Sequence, residues 1–319
     1  MSEPLTALGR ALGELADGAP PSRRSLQQFS DLDPASLETV MQAWPRIPEE
    51  QKHVLLDALH ELADENTLVS FDDLACRLLT DADGQVRMRA IRLLEQSEAA
   101  KFSSPFLKML RSDPDAETRR EVASALGTYV KLGELEELPA TVLREVEDAL
   151  LEKANGDDQA MIRRSALESL GYSSRPEVVT LIQSSIRREN PDWQTSALVA
   201  MGASSDERWE EPVLARLLDA NPGVRLAAVE AAGGLRLASA RSLLFEVLEE
   251  EDEGQVTSAA IWSLSQIGGE DARLYIQNLL DLAEDDEDVQ FLEEALENLE
   301  FTDELNRFDL MSVEPDQDE

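Results

Sequence analysis

Seven segments of this 319-residue chain align on one another at a nearly constant interval. Self-similarity of that period decides the architecture before any local feature is read. The segments are DGQVRMRAIRLLE, AETRREVASALG, QAMIRRSALESLG, NPDWQTSALVAMG, NPGVRLAAVEAAG, EGQVTSAAIWSLS and EDVQFLEEALEN. Their shared slot falls at Val86, Thr118, Ile162, Trp193, Val224, Val256 and Val289, giving spacings of 32, 44, 31, 31, 32 and 33 residues. The long interval predicts an insertion over residues 131–139, read as a loop before the next helix.

Each segment reads as the second helix of a helical hairpin. Small or apolar residues recur four and eight positions after the slot, as in Val86, Ala90 and Leu94. Offsets of zero, four and eight share one helical face. Asp83, Asp115, Asn190 and Asn221 stand three before the slot and are predicted N-caps. Gly127, Gly171, Gly202 and Gly233 stand nine after it and are predicted left-handed helix stops. The intervening segments carry Leu, Val and Ile at three- and four-residue steps, as first helices would. No β-alternation occurs. In the seventh segment Glu293 and Glu297 take the apolar slots, which is expected of a capping repeat. Further helices are predicted at residues 4–16, 23–29, 34–44 and 48–64. The expected organisation is an N-terminal helical cap with a possible degenerate repeat over 1–70, a solenoid over 71–300 and an acidic tail over 301–319, disordered from residue 307.

The second-helix pattern Asp-x-x-Val-Arg-x-x-Ala-x-x-x-Leu-Gly resembles that of the HEAT-repeat proteins, specifically the short-repeat subgroup named after phycobilisome lyases. Asp83, Val86, Arg87, Ala90 and Leu94 fit it, as do Ile162, Arg163, Ala166, Leu170 and Gly171, and Val224, Arg225, Ala228 and Gly233. The resemblance covers residues 71–300. It implies an all-α fold, an α-solenoid (α/α superhelix) with second helices on the concave side. Gln194, Thr257 and Gln290 stand where the family has arginine, so the polar ladder along the groove is expected to break in the C-terminal half.

Stacked hairpins create a long surface rather than a water-excluding pocket, which suits partner binding better than catalysis. Slots two and six after the marker are expected to face the groove. They hold Arg92, Arg120 and Arg164 early, then Val199, Leu226 and Trp262. Arginine and tryptophan are common interface anchors. The other reading of the three arginines is that they pair within or between repeats. The chain carries a net charge of −37. That excludes a direct nucleic-acid binder and docking on an anionic membrane. From residue 246 onward there are 25 acidic residues against two basic ones, Arg273 and Arg307. Such a field would steer a protein partner with a basic or extended segment, or would simply keep the chain soluble.

Candidate chemistry is sparse. His53, Asp57, His60 and Asp64 share a helical face, an arrangement equally expected of a plain amphipathic helix. The lone Cys76 excludes an intrachain disulfide and reads as a small buried residue. Trp193 and Trp209 read as packing residues, and Trp44 before Pro45 should end its helix. Neither a signal peptide nor a membrane span is visible, so the expected setting is cytoplasmic. The leading expectation is a non-catalytic protein-binding scaffold or assembly factor without cofactor or metal. The alternative is a lyase-like or chromophore-handling enzyme, which the subgroup resemblance alone suggests.

Overall fold

The computed structural model describes residues 7–95, 97, 100–251 and 253–312. Among these the chain forms α-helices, short 3-10 turns and no strand. The chain divides into two compact units, Met1–Leu170 and Gly171–Glu319.

The first unit holds α1 (Ala7–Ala16), α2 (Arg23–Leu26), α3 (Pro34–Ala43), α4 (Glu49–Glu65), α5 (Asp72–Leu78), α6 (Gly84–Glu95), α7 (Ser103–Ser112), α8 (Ala116–Glu134), α9 (Ala140–Asn155) and α10 (Ala160–Ser169). Three hairpins result: α5 with α6, α7 with α8 and α9 with α10. Helices α4, α6, α8 and α10 pack successively side by side, so α4 extends the second-helix layer ahead of Phe71. Trp44 follows α3 as its C-cap and opens a 3-10 turn at Pro45.

The second unit holds α11 (Pro176–Ile186), α12 (Pro191–Ala203), α13 (Glu210–Leu214), α14 (Pro222–Gly234), α15 (Arg241–Glu250), α16 (Gly254–Ile267), α17 (Glu270–Leu282) and α18 (Asp286–Ser312). Its hairpins pair in order, and α12, α14, α16 and α18 form the second-helix layer.

Amphipathic periodicity makes these helices, and the repeat core closes on the zero, four and eight slots. Val86, Ala90 and Leu94 are buried, as are Val224, Ala228 and Ala232. Each fully buried leucine contributes about 2–3 kcal/mol. Caps start the helices as expected. Asp115 accepts from the Thr118 amide at 2.7 Å, Asn190 from Trp193 at 3.2 Å and Asn221 from Gly223 at 3.0 Å. Asp83 accepts from the Gln85 amide at 2.9 Å.

The glycines do not stop the helices. Gly127, Gly202 and Gly233 lie inside α8, α12 and α14, and Gly171 lies in a 3-10 turn. None of the four is among the positive-φ residues. They are glycines because neighbouring second helices approach there. A Cβ on Gly202 would meet the Ala231 Cα at 2.8 Å, and one on Gly171 the Ala200 Cα at 2.7 Å. The left-handed positions lie further on, at Glu136, Ser205 and Arg236, with φ of 61°, 52° and 52°. After α14 the Leu237 amide bonds the Ala232 carbonyl and the Arg236 amide that of Gly233. That is a Schellman closure carried by arginine.

Three further expectations are corrected. The insertion at 131–139 begins as helix, since α8 runs to Glu134 and closes at Glu136. In the last repeat the face is displaced by two residues. Leu292, Ala295 and Leu299 are buried, whereas Glu293 and Glu297 are exposed. The four and eight slots are therefore taken by Ala295 and Leu299, Phe291 stays half-buried, and the repeat keeps its apolar face. Finally, α18 crosses residues 301 and 307 and continues to Ser312. Residues 4–6 and 313–319, to which a helix start and the end of a tail were assigned, lie outside the described residues.

Candidate functional site

In each unit the second-helix layer is drawn together by small residues and by hydroxyls that reach across to the previous helix. Ser169 donates to the Ala123 carbonyl at 2.8 Å and Ser263 to that of Val229 at 2.8 Å. Such tight spacing is what the shorter, concave side of a solenoid requires.

In the first unit, Arg92 on α6 and Arg120 on α8 converge on one carboxylate. Arg92 Nε donates to Glu121 Oε1 at 2.6 Å, and Arg120 Nη2 donates to Glu121 Oε2 at 2.9 Å. Arg120 also pairs with Glu117 at 3.2 Å. The Glu121 side chain is nearly buried, and both guanidinium groups are about one-third exposed. Hydrogen bonding to Glu121 raises the Arg92 pKa further. Glu95 sits beside this cluster. Burial first, and the Glu121 charge second, push its carboxyl up to about 7. The expected cationic stretch is therefore a charge-paired cluster at Arg92 and Arg120. Arg164 is half-buried on α10 and has its own interactions.

The second unit brings other predicted residues together. Leu226 on α14 and Trp262 on α16 line one cleft of about 780 Å³. Trp262 is 37% exposed. Phe291 of α18 lines the same cleft, its ring centroid 6.4 Å from that of Trp262 with 31° between the planes. Glu230, Ser258 and Gln266 supply polar atoms. Desolvation raises the Glu230 pKa. No lysine or arginine is among the lining residues. Val199 is exposed on α12 and does not line this cleft. The sequence reading missed Phe291, Glu121 and Glu95. The position of Phe291, two after Val289 and so at the offset of Leu226, was a signal for the first. Nothing local marked the pairing of Glu121 with Arg92.

The repeat arginine one position after the slot is turned largely into the fold. Arg87 Nε and Nη2 grip Asp113 at 2.8 and 2.6 Å, while Nη1 donates to the Asp81 carbonyl at 2.9 Å. Both side chains are nearly buried. Arg119 binds Asp158, and Arg225 binds Glu251, in the same way. Each arginine thus satisfies orphan carbonyls at its own first helix and clamps the turn of the next hairpin. The ladder belongs to the seam between hairpins rather than to the groove. Gln194, where the family has arginine, retains the carbonyl contact, donating to Arg188 O at 2.7 Å.

The other candidates resolve locally. Cys76 is exposed on α5, which corrects the expectation of burial. His53 bonds Asp83 at 2.7 Å, and Arg89 takes Asp57 at 2.8 Å, so these members of the histidine face turn to other partners. Among the described residues no group of three or more His, Cys, Asp or Glu is placed to hold a metal ion. Trp193 and Trp209 are buried, and the Arg188 guanidinium lies 3.8 Å from the centroid of the Trp193 ring. No described helix is long and apolar enough to cross a membrane.

Successive helical hairpins with ordered second-helix layers define an α-solenoid repeat protein. The chain belongs to the HEAT-repeat family, whose pattern, HEAT repeats, matches residues 71–146 and 210–300, just over half of its length. No curated protein matches it. Among solved structures it is similar to YibA of E. coli, at 18% identity over 76% of this chain and 96% of that one, with a TM-score of 0.45. It is also similar to human deoxyhypusine hydroxylase in complex with glycerol, at 18% identity over 81% and 95% with a TM-score of 0.35. For importin β the identity is 14%, over 92% of this chain and 48% of that one, with a TM-score of 0.46. At these identities the likeness is one of fold.

Proposed function

We propose that this chain is a non-catalytic protein-binding scaffold or assembly factor that holds its partner on the second-helix layer of residues 171–319. The supporting observation is the cleft of about 780 Å³ in which Leu226, Trp262 and Phe291 stand together on that layer. An exposed aromatic beside aliphatic surface is the kind of anchor point that dominates protein interfaces. Arg92 and Arg120 contribute less in this reading, because a partner's acid would have to displace Glu121. The exposed thiol of Cys76 is compatible with a reducing, cytoplasmic setting.

The finer resemblance to phycobilisome-lyase-type repeats supplies the rival, a chromophore-handling enzyme. Against it, the cleft presents one carboxylate and no basic or thiol group among its lining residues. Capture from native lysate with wild type and Trp262→Ala, followed by titration of the purified partner, tests the proposal. The partner is expected to bind the variant about tenfold more weakly, as loss of a central aromatic anchor implies. A partner bound equally by both, or saturable binding of a tetrapyrrole in place of any protein, overturns it.

A further inference from the structure

The same cleft carries a second observation that specifies its occupant. Glu230 forms no hydrogen bond or ion pair with a described residue, yet its surroundings desolvate it enough to raise its pKa. Glu230 is nonetheless exposed at the mouth of the cleft, so its carboxylate is open to an incoming cation. The walls offer two aromatic rings, of Trp262 and Phe291, with side-chain oxygens from Ser258 and Gln266 and no cation among the lining residues. An aromatic face next to an unpaired carboxylate is complementary to a guanidinium, which stacks on the ring and gives its N–H fork to the acid. The chain already makes such a stack internally, where Arg188 covers Trp193 at 3.8 Å. The wider field has the matching sign, with 25 acidic residues against two basic from residue 246 onward.

We infer that the cleft of Leu226, Glu230, Trp262 and Phe291 seats an arginine side chain of an extended basic segment on the partner protein. This inference rests on the docking reading above and names the chemistry of its partner. The guanidinium stacks on Trp262 and pairs with Glu230, the aliphatic stem covers Leu226, and flanking cations are drawn in by the acidic surroundings.

The test uses the full chain and three capped, fluorescein-labelled peptides of identical apolar framework. One carries two arginines, one two lysines and one two citrullines, the neutral isostere of arginine. Anisotropy titrations at moderate salt compare wild type with Glu230→Gln, Trp262→Ala and the distant double variant Glu284→Gln/Asp285→Asn. Circular dichroism melts confirm that each variant is folded, as the exposure of Trp262 and Glu230 leads one to expect. The arginine peptide should bind wild type about tenfold more tightly than the citrulline peptide, and more tightly than the lysine peptide. Glu230→Gln should abolish that preference, and Trp262→Ala should weaken all three peptides. The distant variant should change little beyond salt sensitivity.

If Trp262→Ala weakens all peptides but arginine and citrulline bind alike, the docking reading stands and the arginine seat falls. If only the distant variant weakens the arginine peptide, diffuse attraction replaces the seat. If Trp262→Ala leaves every peptide unaffected, both readings fall.

Discussion

Two residue-scale substitutions separate the roles that glycine plays along this chain. Gly202 has helical φ but no room, since an added Cβ would meet the Ala231 backbone at 2.8 Å. Arg236 has room but the wrong backbone region for a side chain, with φ of 52°. Gly202→Ala is therefore expected to destabilise by about 1–3 kcal/mol through overpacking. Arg236→Gly should stabilise by about 1 kcal/mol by relieving a left-handed residue. Denaturant melts of both variants check this, and the opposite signs would refute the assignment. The sequence showed which residues were glycine but not what stood opposite them, so close approach was mistaken for helix termination. Glu121 was invisible for a related reason. It pairs with Arg92 from 29 positions away, and only the packing of α6 on α8 brings them together. Glu95 beside them has a pH consequence. Its folded value near 7 lies above the ordinary 4.5, so the native state holds a proton that the unfolded state releases. Stability from this group is full below about pH 4.5 and is lost as pH rises through about 7. Glu95→Gln should match wild type near pH 4 and exceed it at pH 8 in paired melts. A wild type more stable at pH 8 than the variant would contradict the buried setting.

At the scale of elements, most of the hairpins were legible because helical periodicity and capping residues are local signals. The last repeat was misaligned because Val289 offered a plausible apolar slot, whereas the buried face runs through Leu292, Ala295 and Leu299. The displaced register makes a direct comparison possible. Ala295→Asp should cost several kcal/mol by placing an unpaired charge in a buried position, whereas Glu293→Ala on exposed surface should change stability by less than about 0.5 kcal/mol. Thermal melts of the two check that the buried face of α18 runs through Ala295 and not through position 293. Leu226 and Trp262 were identified from their offsets; Phe291 stands two after Val289, the same offset as Leu226, and was passed over because the seventh segment was read as a degraded cap. Val199 had the right offset and lies outside the cleft, so offset selects a face of the layer rather than a site on it.

For the whole molecule the governing quantity is charge. A formal −37 over 319 residues, concentrated after residue 246, opposes the compact state by self-repulsion. Raising salt from about 0.02 M to about 0.5 M shortens the screening length from some 20 Å to a few ångströms. The melting temperature is expected to rise over that range, and amide exchange should slow most in α15 to α18. A fall in melting temperature would show that attractive surface pairs outweigh the repulsion. Composition made this field legible from the outset, while the pairing that cancels it around Arg92 and Arg120 was not. Attraction of another kind fixes how the chain can change in length. Arg87 reaches forward to Asp113, and Arg119 reaches forward to Asp158. Excising the hairpin of α7 and α8 would remove Asp113 and Arg119 together and leave Arg87 facing Asp158, another aspartate at the turn of a hairpin. Loss of a single helix would strand a buried guanidinium or its acid. Where the arginine is kept, as from Arg87 to Asp158, the chain can thus be trimmed or extended in two-helix steps, each hook meeting the next eye.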